Sequence, residues 1–361
     1  MAFALFKYLL VFTGTLLLLR LFSRLAVRIG LVDHPGRRKR HGGDIPLIGG
    51  PAIFAGLCFG SLMIADTLYP YRALFAALAI LLMAGLLDDL NDLTPGQKFL
   101  AQLVAGICMI SWGGMTVTHL GNLFGYGQVA LHGLAFPITV VCLLGLINAI
   151  NMADGADGLA AGQALIAFGF LFVSATLVGL TVTAQLLLTV IVVLLAFWTM
   201  NMRFPWQPRG KVFMGDSGSM MLGLLLTWFS VEVARNGTGF PPIVAVWFLA
   251  IPLLDMGVVI ARRIGRGQSP FKAGRDHLHH VLIAAGLTPA VAVLAILALA
   301  LGMGAVGFLS WRAGVPDFWM FYLFITLLAG FYGLSFRWRR IIRSIRRSRV
   351  PSRATSPRQT S

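Results

Sequence analysis

Charge is scarce in this sequence, and acid scarcer still. Only 12% of its 361 residues are charged, and 13 acidic residues stand against 29 basic ones. Ordinary soluble domains are about one quarter charged. With 58% hydrophobic residues and a mean hydropathy of +0.83, the chain is not one or two soluble domains, although its length would permit them. Cysteine is nearly absent. Cys58, Cys108 and Cys142 are odd in number, lie inside apolar runs and lack metal-ligand spacing. That excludes a disulfide framework and a cysteine-built zinc site, and leaves small buried hydrophobes. The first apolar stretch, 2–19, has no clear small-residue cleavage site. Most of its positive charge (Arg20, Arg24, Arg28) follows the stretch, so it reads as a retained transmembrane helix rather than a signal peptide.

Long apolar runs are abundant. A bilayer crossing needs about 17–25 residues, and eleven runs qualify: 3–26, 46–66, 71–88, 97–115, 135–153, 159–180, 183–201, 214–233, 240–261, 289–311 and 316–336. Only Thr181 and Thr183 mark the boundary between the sixth and seventh. The expectation is an all-α, polytopic membrane protein with about eleven transmembrane helices. Its membrane domain would span 1–336, with a basic, disordered tail at 337–361. With the N-terminus outside, the cytoplasmic segments hold 25 of the 29 basic residues, and only Lys7, Arg72, Arg235 and Arg312 lie outside. This positive-inside asymmetry puts the C-terminus in the cytoplasm. The net charge of +16 is then topogenic. It implies anionic headgroups as neighbours of the tail and no nucleic-acid partner, since no binding module accompanies it. The outer segment 116–134 alternates at Val117, His119 and Leu120 and carries several glycines, which predicts a small hairpin.

The few acids are unevenly placed. Six of the thirteen (Asp88, Asp89, Asp92, Asp154, Asp157 and Asp216) fall at three cytoplasmic membrane edges. Clustered carboxylates repel and resist desolvation, so they persist where a cation, a proton or a phosphoryl group engages them. If its helix continues, Asp88-Asp89-Leu-Asn-Asp92 puts acids three and four apart at a helix C-terminus, where the dipole disfavours them. One could bind metal and another act as a general base. Thr94-Pro95-Gly96-Gln97 predicts a new helix with a capping box. Lys98 follows on its first turn, either as a phosphate contact or as a topogenic charge. In Asn148-Ala-Ile-Asn151-Met-Ala-Asp154-Gly-Ala-Asp157-Gly158, two amides one turn apart end an apolar run before a glycine-broken loop. A twelve-residue calcium loop fails here because Leu165 stands where the distal Glu belongs. A simple turn explains the glycines but not the asparagines. Asp216, in Phe213-Met-Gly-Asp-Ser-Gly-Ser219, is either a helix cap or a member of the acidic site. Arg275-Asp-His277-Leu-His279-His280 gathers three histidines beside an arginine. That composition suits a diphosphate better than zinc, for which no Cys or Glu partner lies near. Together these motifs point to metal-assisted chemistry on an anionic substrate at a membrane face. A transporter would instead carry its acids mid-helix, and a non-catalytic scaffold would show no metal dependence.

In combination, the motifs resemble the polyprenyl-phosphate N-acetylhexosamine-1-phosphate transferases, over nearly the whole chain from Gly30-Leu-Val-Asp-His-Pro35 to the last helix. Arg38-Lys-Arg-His41 and Ile45-Pro-Leu-Ile-Gly-Gly50 look like that family's first cytoplasmic loop. His277-Leu-His279-His280 resembles the branch that moves GlcNAc-1-phosphate from UDP-GlcNAc to undecaprenyl phosphate. The peptidoglycan branch has three consecutive histidines, and Leu278 breaks that run. The resemblance implies a bacterial inner-membrane enzyme with a cytoplasmic active site that uses Mg2+, with Mn2+ as a replacement. Its product would begin O antigen or a related surface glycan. It also implies roles: Asp216 and Asp89 on the metal; Asp88 accepting a proton from the lipid phosphate; Lys98, Arg275, His277, His279 and His280 on phosphates; Asn148, Asn151, Asp154 and Asp157 on the nucleotide side. Other UDP-N-acetylhexosamine donors, and a two-step route through an aspartyl ester, are the alternatives.

Overall fold

The computed structural model describes residues 2–33, 43–64, 67–235, 239–269, 274 and 276–349. It is mostly helical. Thirteen helices follow in order: α1 Ala2–Ile29, α2 Gly49–Ile64, α3 Arg72–Asn91, α4 Pro95–Ile107, α5 Ala135–Ala153, α6 Leu159–Leu177, α7 Thr181–Asn201, α8 Gly215–Arg235, α9 Pro242–Phe248, α10 Ala250–Ile264, α11 Leu278–Ala284, α12 Pro289–Arg312 and α13 Asp317–Arg349.

Each of the eleven apolar runs is helical. Among the described residues, eight helices are long and apolar enough to cross a membrane, or nine if the bent pair α9 and α10 is one span. The run 46–66 becomes the 16-residue α2, and 97–115 becomes the 13-residue α4 followed by a π turn, Cys108–Trp112. The expected break near Thr181 is present, with Gly179 at φ +78° between α6 and α7. The run 240–261, read as one span, bends by 83° between α9 and α10. The last helix passes the boundary expected at 336 and continues to Arg349, while 350–361 lie outside the described residues.

The bundle is organised around α8, whose residues Ser217 to Val233 are all buried. It packs most extensively against α3 and α5. Small residues allow this closeness: a Cβ at Gly85 of α3 would collide with the backbone of Ser217. At one end, strands β1 Val32–Asp33 and β2 Ile45–Pro46 pair antiparallel. The chain just after β2 is stitched to the start of α8, with Phe213 N–H donating to Pro46 O at 2.9 Å and Gly50 N–H to Met214 O at 3.0 Å. At the other end the expected hairpin forms, with Leu120 N–H donating to Val129 O and Leu131 N–H to Thr118 O, each at 2.9 Å. There Glu232 is buried but satisfied, accepting from Tyr71 Oη at 2.8 Å and Trp228 Nε1 at 3.2 Å.

Candidate active site

The C-terminal ends of α3 and α5 meet the N-terminal ends of α4 and α8 at the strand-bearing end of the bundle. A cavity of about 750 Å3 opens there. Asp88, Asp89, Lys98, Asn151, Asp154, Asp157 and Asp216 all line it, together with Asp33, Asp92, Asn201, Arg203 and Arg209.

Local rules position each group. Helix α3 stops at Asn91, and Asp92 adopts a left-handed conformation with φ 49°. The continuous helix through Asp92 is therefore not formed, although Asp92 still faces the cavity. Asp88 is buried. Its Oδ1 accepts from Leu93 N–H at 2.8 Å, which closes the helix end, and its Oδ2 pairs with the Lys98 ammonium. The predicted capping box starts α4, with Thr94 N–H donating to Gln97 Oε1 at 2.9 Å and Gln97 N–H to Thr94 Oγ1 at 3.4 Å. The box turns Lys98 inward, so that Nζ also donates to Asp216 Oδ2 at 2.7 Å. Asn151 Nδ2 donates to Asp216 Oδ1 at 3.0 Å and to Ser219 Oγ at 2.9 Å.

Asp216 is thus not the cap of α8. The carboxylate at that helix N-terminus is Asp89, which accepts from Asp216 N–H at 3.0 Å and from Ser217 Oγ at 3.2 Å. Gly215 makes room for it. Its φ is +71°, and a Cβ there would come within 2.5 Å of Asp89 Oδ2. Asp154 follows the end of α5. Burial, and then the charges of Asp216, Asp157 and Asp89, push its carboxyl well above the usual carboxylate range. Asp157 is committed to the loop between α7 and α8: its Oδ2 accepts from Arg203 Nε at 2.7 Å and from Gly210 N–H at 3.0 Å.

Other expected residues stand apart. Asn148 does not line the cavity; its amide donates to Leu144 O at 2.7 Å and to Gln102 Oε1 at 3.1 Å inside the bundle. Nor do the three histidines line it. His279 abuts the site from behind, where a Cβ on Gly155 would come within 2.7 Å of its ring. Burial, and then the charges of His280 and His277, hold that imidazole down to about 3. Its ring lies 4.1 Å from that of His280, centre to centre. Arg275 lies outside the described residues.

Two residues of consequence escaped the sequence reading. Asp255, buried in α10, lies 2.9 Å through Oδ2 from His277 Nδ1 and accepts the Leu278 N–H through Oδ1, also at 2.9 Å. It therefore fixes both the His277 ring and the start of α11. Asn201, at the end of α7, accepts from Gly158 N–H and donates to Val212 O, each at 2.8 Å, tying the second motif's loop to the third's. A lone polar residue inside or ending an apolar run was the available signal for both.

Residues 71–234 match the family model described as glycosyl transferase family 4. The undecaprenyl-phosphate alpha-N-acetylglucosaminyl 1-phosphate transferase of Escherichia coli K12 is 35% identical over 358 residues, covering 97% of this chain and 96% of that one. The proteins of that name from Haemophilus influenzae and Yersinia pestis are 36% and 33% identical, over 93% and 96% of this chain and 95% of each relative. The chain belongs to glycosyl transferase family 4.

As a family 4 transferase it presents hard oxygen donors, the kind Mg2+ prefers. Among the described residues, no three His, Cys, Asp or Glu side chains converge closely enough to hold an ion. A cation is nonetheless already bound between these carboxylates. The Lys98 ammonium bridges Asp88 and Asp216, with side chains only 6% and 32% exposed. Asp89 keeps a spare lone pair on each oxygen beyond its contacts to α8. Donor chemistry and demand for positive charge both fit a divalent ion.

Proposed function

We propose that this membrane protein transfers N-acetylglucosamine-1-phosphate from UDP-GlcNAc to undecaprenyl phosphate, releasing UMP. The observation that carries the reading is the convergence of three separated acidic motifs in one cavity, where one ammonium joins the first to the third. The relatives' names supply the acceptor and the sugar. A transporter reading is disfavoured because these acids cluster at helix ends on one side of the bundle.

The reaction joins two anions, so charge neutralisation is its main demand. An acceptor phosphate oxygen attacks the β-phosphorus, the bond from that phosphorus to the bridging oxygen breaks, and UMP departs with the bridging oxygen. Asp88, at the cavity wall, accepts a proton from the lipid phosphate. Lys98 turns from the carboxylates to the diphosphate. Asn151 and Asp154 line the nucleotide side, and Asp157 shapes it by holding Arg203. The three histidines serve phosphates, with Asp255 fixing the orientation of His277, and Arg275 is assigned the same role from its motif alone. Asp216 and Asp89 would hold Mg2+, or Mn2+ in its place, which supplies charge neutralisation of the phosphates.

In the membrane we read eleven crossings, with the N-terminus outside and the cavity on the cytoplasmic face of a bacterial inner membrane. Arg203 and Arg209 beside the cavity support this through the positive-inside rule. In a cysteine-free background, Tyr126→Cys should be labelled from outside and Trp206→Cys should not; the reverse labelling inverts the topology. The product would begin a surface polysaccharide such as O antigen. Purified protein, undecaprenyl phosphate and a panel of UDP-sugars, scored by UMP release, test the reaction. UDP-GlcNAc should dominate. Preference for another UDP-N-acetylhexosamine would change the donor, and absence of UMP with every sugar would overturn the reading.

A further inference from the structure

The loop between α7 and α8 holds one aromatic ring out of the protein on a rigid support. Phe204 and Gln207 exchange backbone hydrogen bonds, each 2.9 Å, across the two-residue tip Pro205-Trp206. Gln207 is buried and anchors the turn through Nε2, which donates to Met202 O at 2.7 Å and Met200 O at 3.1 Å. Trp206 on the tip is 79% exposed. Its ring lies flat on Phe204, 5.1 Å between centres and 2° from parallel. Phe204 stands edge-on to Trp198 at 5.6 Å, and Trp198 Nε1 donates to Gly158 O at 3.0 Å. A single exposed apolar residue is ordinary. An indole fixed outward on a stack of two further rings is instead preorganised to meet a surface.

That support stands at the seam between two helices, α7 and α12, each long and apolar enough to cross a membrane. Phe204 and Trp198 join a small apolar cluster with Leu282 of α11 and with Val293, Ile296 and Leu297 of α12. One turn from Trp198, Leu195 of α7 is exposed, and one turn from Leu297, Leu294 of α12 is exposed. On membrane-crossing helices these leucines face acyl chains. Trp206 therefore caps the stack beside the helix ends, where hydrocarbon gives way to headgroups. Trp suits that layer, because its ring is apolar and its N–H seeks a polar partner. The charge of the turn agrees. Residues 203–211 include Arg203, Arg209 and Lys211 and no acid. Lys211 is exposed and closes the turn, its N–H donating to Met200 O at 2.8 Å. Trp206 does not line the carboxylate cavity.

We propose that the 203–211 turn is an anchor for the anionic bilayer surface, with the Trp206 indole in the headgroup layer and the Lys211 ammonium on headgroup phosphates. The partner is the charged surface as a whole, not one lipid held in a cavity. The anchor also reaches the carboxylate cavity, because Asp157 grips the turn at Arg203 and at Gly210, on both sides of the tip. The charge of the membrane surface is thereby linked to the cavity wall that carries Asp157. The anchor is independent of the transferase reading, since it requires neither donor nor acceptor.

The test uses the full chain in lipid nanodiscs, with phosphatidylglycerol or phosphatidylcholine carrying a diazirine on the headgroup. Photolysis should mark 203–211, and more strongly from the anionic lipid. Lys211→Gln should reduce that anionic preference about fivefold, the scale of one cation near such a surface. Trp206→Cys, labelled with bimane in a cysteine-free background, should be quenched by a nitroxide on the lipid headgroup, and UDP-GlcNAc should leave the quenching unchanged. No mark in 203–211 from either lipid, or equal marking by both, would overturn the proposal. So would bimane emission that ignores the nitroxide and follows the nucleotide sugar, which would make Trp206 part of the donor site. Photolabelling of the unaltered chain decides the matter even if the substituted proteins fold poorly.

Discussion

Lys98 holds together the two carboxylates on which the proposed chemistry depends, so Lys98→Met is the most direct perturbation of the site. The substitution keeps most of the side chain's length and removes the ammonium. Asp88 and Asp216, at 6% and 32% exposure, then face each other without a counter-charge. Breaking a fully buried pair costs about 3–5 kcal/mol, and an exposed pair about 0–1 kcal/mol. Lys98 is itself 32% exposed, so solvent screening sets a middle value of about 2 kcal/mol. In a chain of this size that is a drop of a few degrees in melting temperature. The assay is thermal unfolding in detergent, first in EDTA and then across a Mg2+ titration. In EDTA the variant should melt lower. Mg2+ should stabilise it at lower concentration than the parent, because the ion no longer competes with a resident ammonium. UMP release should stay impaired at saturating Mg2+, since the ammonium is also proposed to meet the diphosphate. A variant that melts like the parent in EDTA and answers Mg2+ identically would refute the reasoning and make Lys98 a topogenic charge.

Asp216→Asn should cut transfer by about 10²-fold or more, the scale of removing one electrostatic stabiliser, with little change in melting; retained UMP release would return Asp216 to a structural role. Asp255→Asn keeps an acceptor for Leu278 N–H and should lower kcat more than it raises KM. Asp255→Ala should also destabilise the protein by about 2–3 kcal/mol through the lost charged hydrogen bonds, and equal kcat in all three proteins would dissociate His277 from turnover. Gly85→Ala drives a methyl into Ser217, so an overpacking cost of about 1–3 kcal/mol is expected, and parental melting would contradict the close approach of α3 to α8. The His279 imidazole is held down to about 3, below the unfolded value of about 6.5. The unfolded chain therefore takes up the proton first as pH falls. Stability complete above about pH 6.5 is lost toward pH 3 at up to about 1.4 kcal/mol per unit. His279→Gln should flatten that acid limb in a melting-temperature profile, and a parallel profile would show the ring is not the group responsible.

How much of this could be read before the fold was known depended on the range of the interaction. The capping box at Thr94 and Gln97 closes within four residues, and the pattern alone predicts it. The hairpin over 116–134 is similarly local. The bend inside 240–261 was missed because hydropathy does not register it. Pro252, which lacks an N–H and sits in the first turn of α10, was the available hint. Asp255 and His277 are 22 residues apart, and Lys98 and Asp216 are 118 apart. No periodicity joins such partners; only packing does.

The placement of the acids then explains why a cation is required there. Asp88 and Asp154 lie at the C-terminal ends of α3 and α5, where the helix dipole opposes negative charge. Asp89 and Asp216 lie at the N-terminal end of α8, where the dipole and free N–H groups favour it. The α8 terminus donates hydrogen bonds to Asp89, yet burial, the largest influence, still pushes that carboxyl up to about 7, so the group as a whole is short of positive charge. Lys98 meets that deficit in the resting structure, bound to one acid from each set. When Lys98 turns to a phosphate, the deficit returns beside Asp88, and a carboxylate deprived of its counter-charge is the better proton acceptor. Engagement of the diphosphate by Lys98 would therefore raise the basicity of the group proposed to deprotonate the acceptor.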